Sequence, residues 1–117
     1  MKILYIEDEP ADANLVERYI QLTPHELVLA SNVSDARAAM NTHPDLILVD
    51  VLLGRTRDGY TFIQEMRGQG YEQPIIAVTG LSTPYDLEQC YQSGVDEVLT
   101  KPYAINQLIE LLNKYAS

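Results

Sequence analysis

Short apolar runs and helical patterns alternate along the chain without a break. Ile3-Leu4-Tyr5-Ile6 is a run of strand formers, followed at once by Glu7-Asp8-Glu9-Pro10. From Ala11 to Leu22, Leu15, Val16, Tyr19 and Ile20 recur at helical spacing, and Thr23-Pro24 ends the pattern. Leu27 to Ala30 predicts a second strand. Ser34 is placed to cap a helix reaching Met40, with Pro44 beyond it. Leu46 to Val49 is the third strand. Asp58-Gly59 opens a helix that turns Tyr60, Phe62, Ile63 and Met66 inward and closes at Gly68 and Gly70. Ile75 to Val78 is the fourth strand. Thr83-Pro84 reads as an N-cap with proline at the first helical position, for a helix ending near Gly94. Val95 to Thr100 is the fifth strand. The last helix runs from Ala104 to Tyr115, with Ile105, Leu108, Ile109 and Leu112 on one face.

Five strands alternating with five helices predict βαβ units and a parallel sheet, hence an α/β domain. The first, third and fourth strands are near-continuous apolar runs, as expected where helices cover both faces of a sheet. The chain of 117 residues fits one domain, 1–117, with no linker, repeat or low-complexity tract.

In an open parallel sheet, ligands bind beyond the carboxyl ends of the strands. The first strand ends in Glu7-Asp8, the third in Asp50, the fourth in Thr79-Gly80 and the fifth in Thr100-Lys101-Pro102. Aspartate is poor in strands and is rarely buried alone, so Asp50 after four apolar residues asks for a reason. Three clustered carboxylates beside one lysine stay net negative, and a divalent cation resolves the repulsion. Oxygen-only ligands suit Mg2+, or Mn2+ in its place, and such sites usually take a phosphate oxygen as well. Thr79 and Lys101 are donors that a phosphoryl group needs. Asp50, ionised at neutral pH, is then a nucleophile toward phosphorus.

Composition narrows the setting. Seventeen acids against eight Lys and Arg give a net charge of −9, which argues against direct nucleic-acid binding and suits divalent cations and protein partners. No apolar stretch approaches the roughly 20 residues of a membrane span, and the start lacks a signal-peptide pattern. Cys90 is the only cysteine, so no internal disulfide forms and a cytoplasmic setting is expected. His25 and His43 sit beside prolines and are expected at the surface. Tyr85, Tyr91, Tyr103 and Tyr115 either cover the core or form a binding face.

Together, Glu7-Asp8, Asp50, Asp58-Gly59 eight and nine residues later, Thr79, and Lys101-Pro102 resemble the response-regulator receiver domain of two-component signalling, across essentially the whole chain. The resemblance implies a doubly wound, flavodoxin-like sheet in the order 2-1-3-4-5. It implies that Asp50 accepts phosphate from a histidine kinase or a histidine phosphotransfer protein and then signals to a downstream protein target. Asp8, Asp50 and the backbone carbonyl of Leu52 would ligate Mg2+, and Glu7 would act through a water. Lys101 and Thr79 would hold phosphoryl oxygens, with Gly80 next to the threonine. The Lys101-Pro102 bond would be cis, and the face of helix four, strand five and helix five would carry the output or a homodimer.

Three departures from the family pattern stand out. Gly54 replaces the usual proline. The loop before Asp58 is one residue longer than the commonest form and holds Arg55 and Arg57, placed to answer new phosphoryl charge. Val98 occupies the switch position where the family usually has Tyr or Phe, so it is expected to pack against the core while another element switches.

Rival readings are an N-terminal receiver cut from a longer regulator and a pseudo-receiver that binds without phosphorylation. A dehalogenase-type phosphatase wants a second aspartate where Leu52 stands. A flavodoxin wants a Ser/Thr/Gly-rich phosphate loop where Glu7-Asp8-Glu9-Pro10 stands.

Overall fold

A computed structural model describes residues 1–53 and 56–116. In chain order the elements are β1 (Lys2–Ile6), α1 (Pro10–Ile20), β2 (Glu26–Ala30), α2 (Val33–Ala39) with a 3-10 turn at Met40–Thr42, and β3 (Leu46–Asp50). Then follow α3 (Asp58–Gly68), β4 (Ile75–Thr79), α4 (Pro84–Ser93), β5 (Glu97–Thr100) and α5 (Ile105–Ala116). The strands form one parallel sheet in the order β2-β1-β3-β4-β5. This is the doubly wound α/β fold expected from the alternation.

The two-residue period of the strands divides the core between the two faces. Leu4, Ile6, Ile47, Val49, Ile75 and Ala77 pack with Ala36, Phe62, Ile63, Met66 and Cys90 of α2, α3 and α4. Ile3, Tyr5, Leu46, Leu48, Ile76 and Val78 pack with Val16, Ile20, Leu108 and Leu112 of α1 and α5. All five residues of β3 and of β4 are buried. No helix among the described residues is long and apolar enough to cross a membrane.

Several boundaries differ from the sequence expectation. The cap of α2 is Asn32, not Ser34: Asn32 is extended, at φ −155°, and its side chain accepts from the Asp35 N–H at 2.7 Å. Both residues are good caps, and the short helix that follows has too weak a period to choose between them. On α1, Val16 and Ile20 are buried, but Leu15 and Tyr19 are 46% and 38% exposed. The apolar stripe is thus wider than the face the sheet covers. β5 begins at Glu97 rather than Val95, because Asp96 is spent on the edge of β4: its N–H donates to the Ile75 carbonyl and its carboxylate accepts from the Ile75 N–H. Helix α3 continues through Gly68, and the chain turns off at Gly70, where φ is +89°.

His43 is exposed, as expected. His25 is half-buried instead, its ring between the Met1 ammonium at 3.2 Å and the Asn113 side chain at 3.4 Å. The tyrosines divide: Tyr85 and Tyr91 are exposed, while Tyr103 and Tyr115 pack against the α1–α5 side of the core. Cys90 is fully buried, a small apolar residue as expected, and burial raises its thiol pKa.

Candidate phosphorylation site

Strand register brings the four strand ends together. Ile6 pairs with Val49, so Glu7 follows on beside Asp50. Asp50 pairs with Val78, and Thr79 pairs with Thr100, with the Lys101 N–H donating to the Thr79 carbonyl at 2.7 Å. Carboxylate oxygens of Glu7, Asp8 and Asp50 lie within 4.8 Å of one another.

Each acid is held differently. Glu7 is 3% exposed. Its Oε2 accepts from the Tyr5 hydroxyl and from Lys101 Nζ, both at 2.9 Å, and its Oε1 accepts from the Glu9 N–H at 3.1 Å. Asp50 is 6% exposed. Its Oδ1 accepts from the Leu52 N–H and its Oδ2 from Lys101 Nζ, both at 3.0 Å. Asp8 is exposed to solvent at the mouth of the cluster.

The charges strain against each other. Burial pushes the Glu7 carboxyl above its ordinary pKa and the Asp50 charge adds to that, against the pull of Lys101 and the Glu9 N–H. Burial works against the Lys101 ammonium, but its bonds to Glu7, Asp50 and Asp12 outweigh that and raise its pKa. Burial and the neighbouring Glu7 charge raise the Tyr5 phenol far above its usual range, so it stays a donor.

The donor chemistry fits a hard dication. Three carboxylates converge, one of them open to solvent, with no nitrogen or sulfur ligand in the cluster. Leu52 sits directly beyond, its N–H committed to Asp50.

Thr79 is fully buried, and its Oγ1 accepts from the Leu81 N–H at 3.0 Å, so its hydroxyl oxygen is engaged by its own loop. Space beside Gly80 is open: a Cβ there would meet nothing within 4 Å. The Lys101–Pro102 peptide is cis. Val98 is half-buried against the α2–α4 side of the core and pairs with Ala77. Gly54 and Arg55 lie outside the described residues. The flanking residues Leu53 and Thr56 pair backbone to backbone at 3.1 and 3.2 Å. Arg57 is exposed and lines a cleft between α3 and α4 with Tyr60, Gln64, Tyr85, Gln89 and Gln92.

The roles of three residues escaped the sequence reading. Asp12 in the first turn of α1 accepts from Lys101 Nζ at 3.0 Å. Tyr5, counted as part of an apolar run, supplies its hydroxyl to Glu7. Gly59 lets α3 start against the backbone of Asp50 and Val51: a Cβ there would stand 2.4 Å from Val51 Cα and 2.5 Å from the Asp50 carbonyl oxygen.

A family model for the response regulator receiver domain matches residues 3–113. The chain belongs to this family. It is a receiver domain of the two-component response regulators, a family of phosphoacceptors that generally bind Mg2+ in an acidic pocket. Among relatives, the receiver is 30% identical over 92% of its length to the DNA-binding dual master transcriptional regulator RpaA of Synechocystis, covering 46% of that protein. It is 28% identical over 91% of its length to the heme response regulator HssR of Staphylococcus saprophyticus, covering 47% of it. A third match is the sensor histidine kinase RcsC of Escherichia coli, 29% identical over 99% of this chain but only 12% of the kinase. The receiver thus spans about half the length of the first two relatives. Among solved structures, the BeF3-activated receiver domain of Klebsiella pneumoniae RstA superposes with a TM-score of 0.89 at 25% identity, covering 98% of this chain and 97% of that one. Membership implies phosphorylation chemistry and interaction with histidine kinases or phosphotransfer proteins.

Proposed function

We propose that this receiver takes a phosphoryl group onto Asp50 from a phosphohistidine of a kinase or phosphotransfer protein, and that the phosphorylated domain is read by a downstream protein. The observation that carries this is the setting of Asp50: nearly buried at a strand end, held by Lys101 and the Leu52 N–H, with Glu7 and Asp8 within 4.8 Å.

In the transfer, a carboxylate oxygen of Asp50 attacks phosphorus. The O–P bond forms as the P–N bond breaks, and the electron pair stays on the imidazole nitrogen. Asp8, Asp50 and the Leu52 carbonyl would hold Mg2+ (or Mn2+), with Glu7 acting through a water. The cation would supply neutralising charge for the incoming phosphoryl oxygens. Lys101 keeps its ammonium charge and offers it to one phosphoryl oxygen. Thr79, whose oxygen accepts from the Leu81 N–H, donates its hydroxyl hydrogen to another, and Pro102 and Gly80 shape the loops that carry these two donors. The protein thereby assists its own phosphorylation and its own dephosphorylation. Val98 packs in both states, so the loop ending at Arg57 and the start of α4 carry the change.

In this reading residues 1–117 work as one receiver domain in the cytoplasm, contacting protein rather than nucleic acid or membrane. The acidic balance of −9 supports that. A homodimer would use the face of α4, β5 and α5. The double length of RpaA and HssR favours a second reading, in which the same chemistry reports to an effector domain joined to the receiver.

Mass spectrometry after treatment with acetyl phosphate tests the proposal. One phosphoryl group should appear on Asp50 with Mg2+ or Mn2+ present and not in EDTA, and Asp50→Asn should take none. Equal labelling of that variant would refute it.

A further inference from the structure

An ammonium has three hydrogens, and in this receiver three carboxylates take them. Lys101 Nζ lies 2.9 Å from Glu7, 3.0 Å from Asp50 and 3.0 Å from Asp12. The first two are strand-end acids of the phosphorylation site. Asp12 is different. It belongs to α1, its side chain is 45% exposed, and it faces a groove lined by Leu15, Tyr19, Pro102, Tyr103 and Ile105. Nothing in the transfer itself calls for it.

Resting on the reading of Asp50 as the acceptor, we propose that Asp12 is a positioning residue for Lys101. It draws the ammonium toward α1 and so weakens its hold on a phosphoryl group at Asp50. Whichever carboxylate bond Lys101 trades for a phosphoryl oxygen, the Asp12 charge stands beside the ammonium that the phosphoryl must share. Of the three partners, Asp12 is the one that can leave at small cost. Its oxygens are already half in water and are taken over by solvent on release. Glu7 or Asp50 would be left buried without the ammonium, with only the neutral donors of Tyr5, Glu9 or Leu52. Asp12 is therefore a brake, and removing its charge releases the lysine while its other two bonds keep it in place.

The test is a calorimetric titration with beryllofluoride, a phosphoryl mimic, in saturating Mg2+. It is paired with the rate of Asp50 labelling as a function of acetyl phosphate concentration. Asp12→Asn and Asp12→Ala should both bind beryllofluoride roughly two- to fivefold more tightly than wild type, the range expected of a part-exposed ion pair. Both should lower the half-saturating acetyl phosphate concentration by a similar factor and change the maximal rate less. Asp12→Glu, which keeps the charge, should behave as wild type. Glu17→Gln removes the same charge from α1 without a bond to Lys101, and it should also match wild type.

A merely structural role for Asp12 would shift melting temperature and leave these affinities alone. Wild-type or weaker beryllofluoride affinity in both Asp12 variants would overturn the proposal, as would an equal gain in Glu17→Gln. If wild type itself neither binds beryllofluoride nor labels on Asp50, the failure lies with the acceptor reading.

Discussion

The two ends of the sheet both carry acids and use them in opposite ways. At the amino end, Asp45 accepts from the Lys2 N–H at 2.7 Å and returns its own N–H to the Lys2 carbonyl. Asp96 does the same for Ile75 and also takes the Arg67 guanidinium at 2.9 Å. Both of these carboxylates are answered by donors that the fold already supplies. At the carboxyl end, Glu7, Asp12 and Asp50 share one lysine, with Asp8 beside them. Acids matched to backbone donors build an edge. Acids in surplus over their cations await something from outside.

The largest expected break in this contrast comes from Gly59→Ala. Its new methyl would meet backbone, at 2.4 Å from Val51 Cα and 2.5 Å from the Asp50 carbonyl oxygen. Backbone cannot swing aside as a flexible side chain would, so α3 must move off β3 or shift the backbone at Asp50 and Val51. Overpacking of this kind costs about 1–3 kcal/mol and occasionally more. Chemical denaturation should show a loss at or above the top of that range, together with slower labelling of Asp50. A variant of wild-type stability would mean that α3 does not start against the end of β3.

Next in size is Asp96→Ala at the amino end. It leaves the Ile75 N–H and one arm of the Arg67 guanidinium without their acceptor, a loss of roughly 1–3 kcal/mol. Labelling of Asp50 should be unchanged, because the site lies at the other end of β4. A variant that is both less stable and poorly labelled would show that the two ends are coupled and the contrast too sharply drawn.

The same contrast explains what was legible beforehand. The buried strands were clear because β3 and β4 are apolar at nearly every position, a pattern only a doubly covered sheet needs. The site acids were clear because Asp50 interrupts such a run. The cap of α2 was ambiguous because Asn32 and Ser34 offer the same chemistry two residues apart. Asp12 was hidden for a related reason: an acid in the first turn of a helix already has an ordinary explanation in the helix dipole. What distinguishes it is its distance to a lysine 89 residues away, which no local pattern encodes. Gly59 was read as a helix opener, and the approach of Val51 that requires it is likewise a tertiary fact.

The smallest effect sharpens the comparison through pH. Burial first, and the Asp50 charge second, hold the Glu7 pKa above its ordinary value in the folded, metal-free protein. The folded state therefore binds a proton more readily than the unfolded state. Stability falls with rising pH wherever the folded state holds more protons. The contribution of Glu7 is thus fully present below about 4.3, the ordinary glutamate value, and is lost as pH climbs to the raised native value. Acids of ordinary pairing slope the other way, so the useful quantity is the difference in melting temperature between wild type and Glu7→Gln, measured in EDTA. That difference should move against wild type as pH rises through this window. Saturating Mg2+ should flatten it, because a dication held by the cluster favours the charged carboxylate and removes the cause of the shift. A difference that is level in EDTA, or that moves in favour of wild type with rising pH, would mean that Lys101 alone satisfies Glu7 and that the carboxyl end is no more overcharged than the amino end.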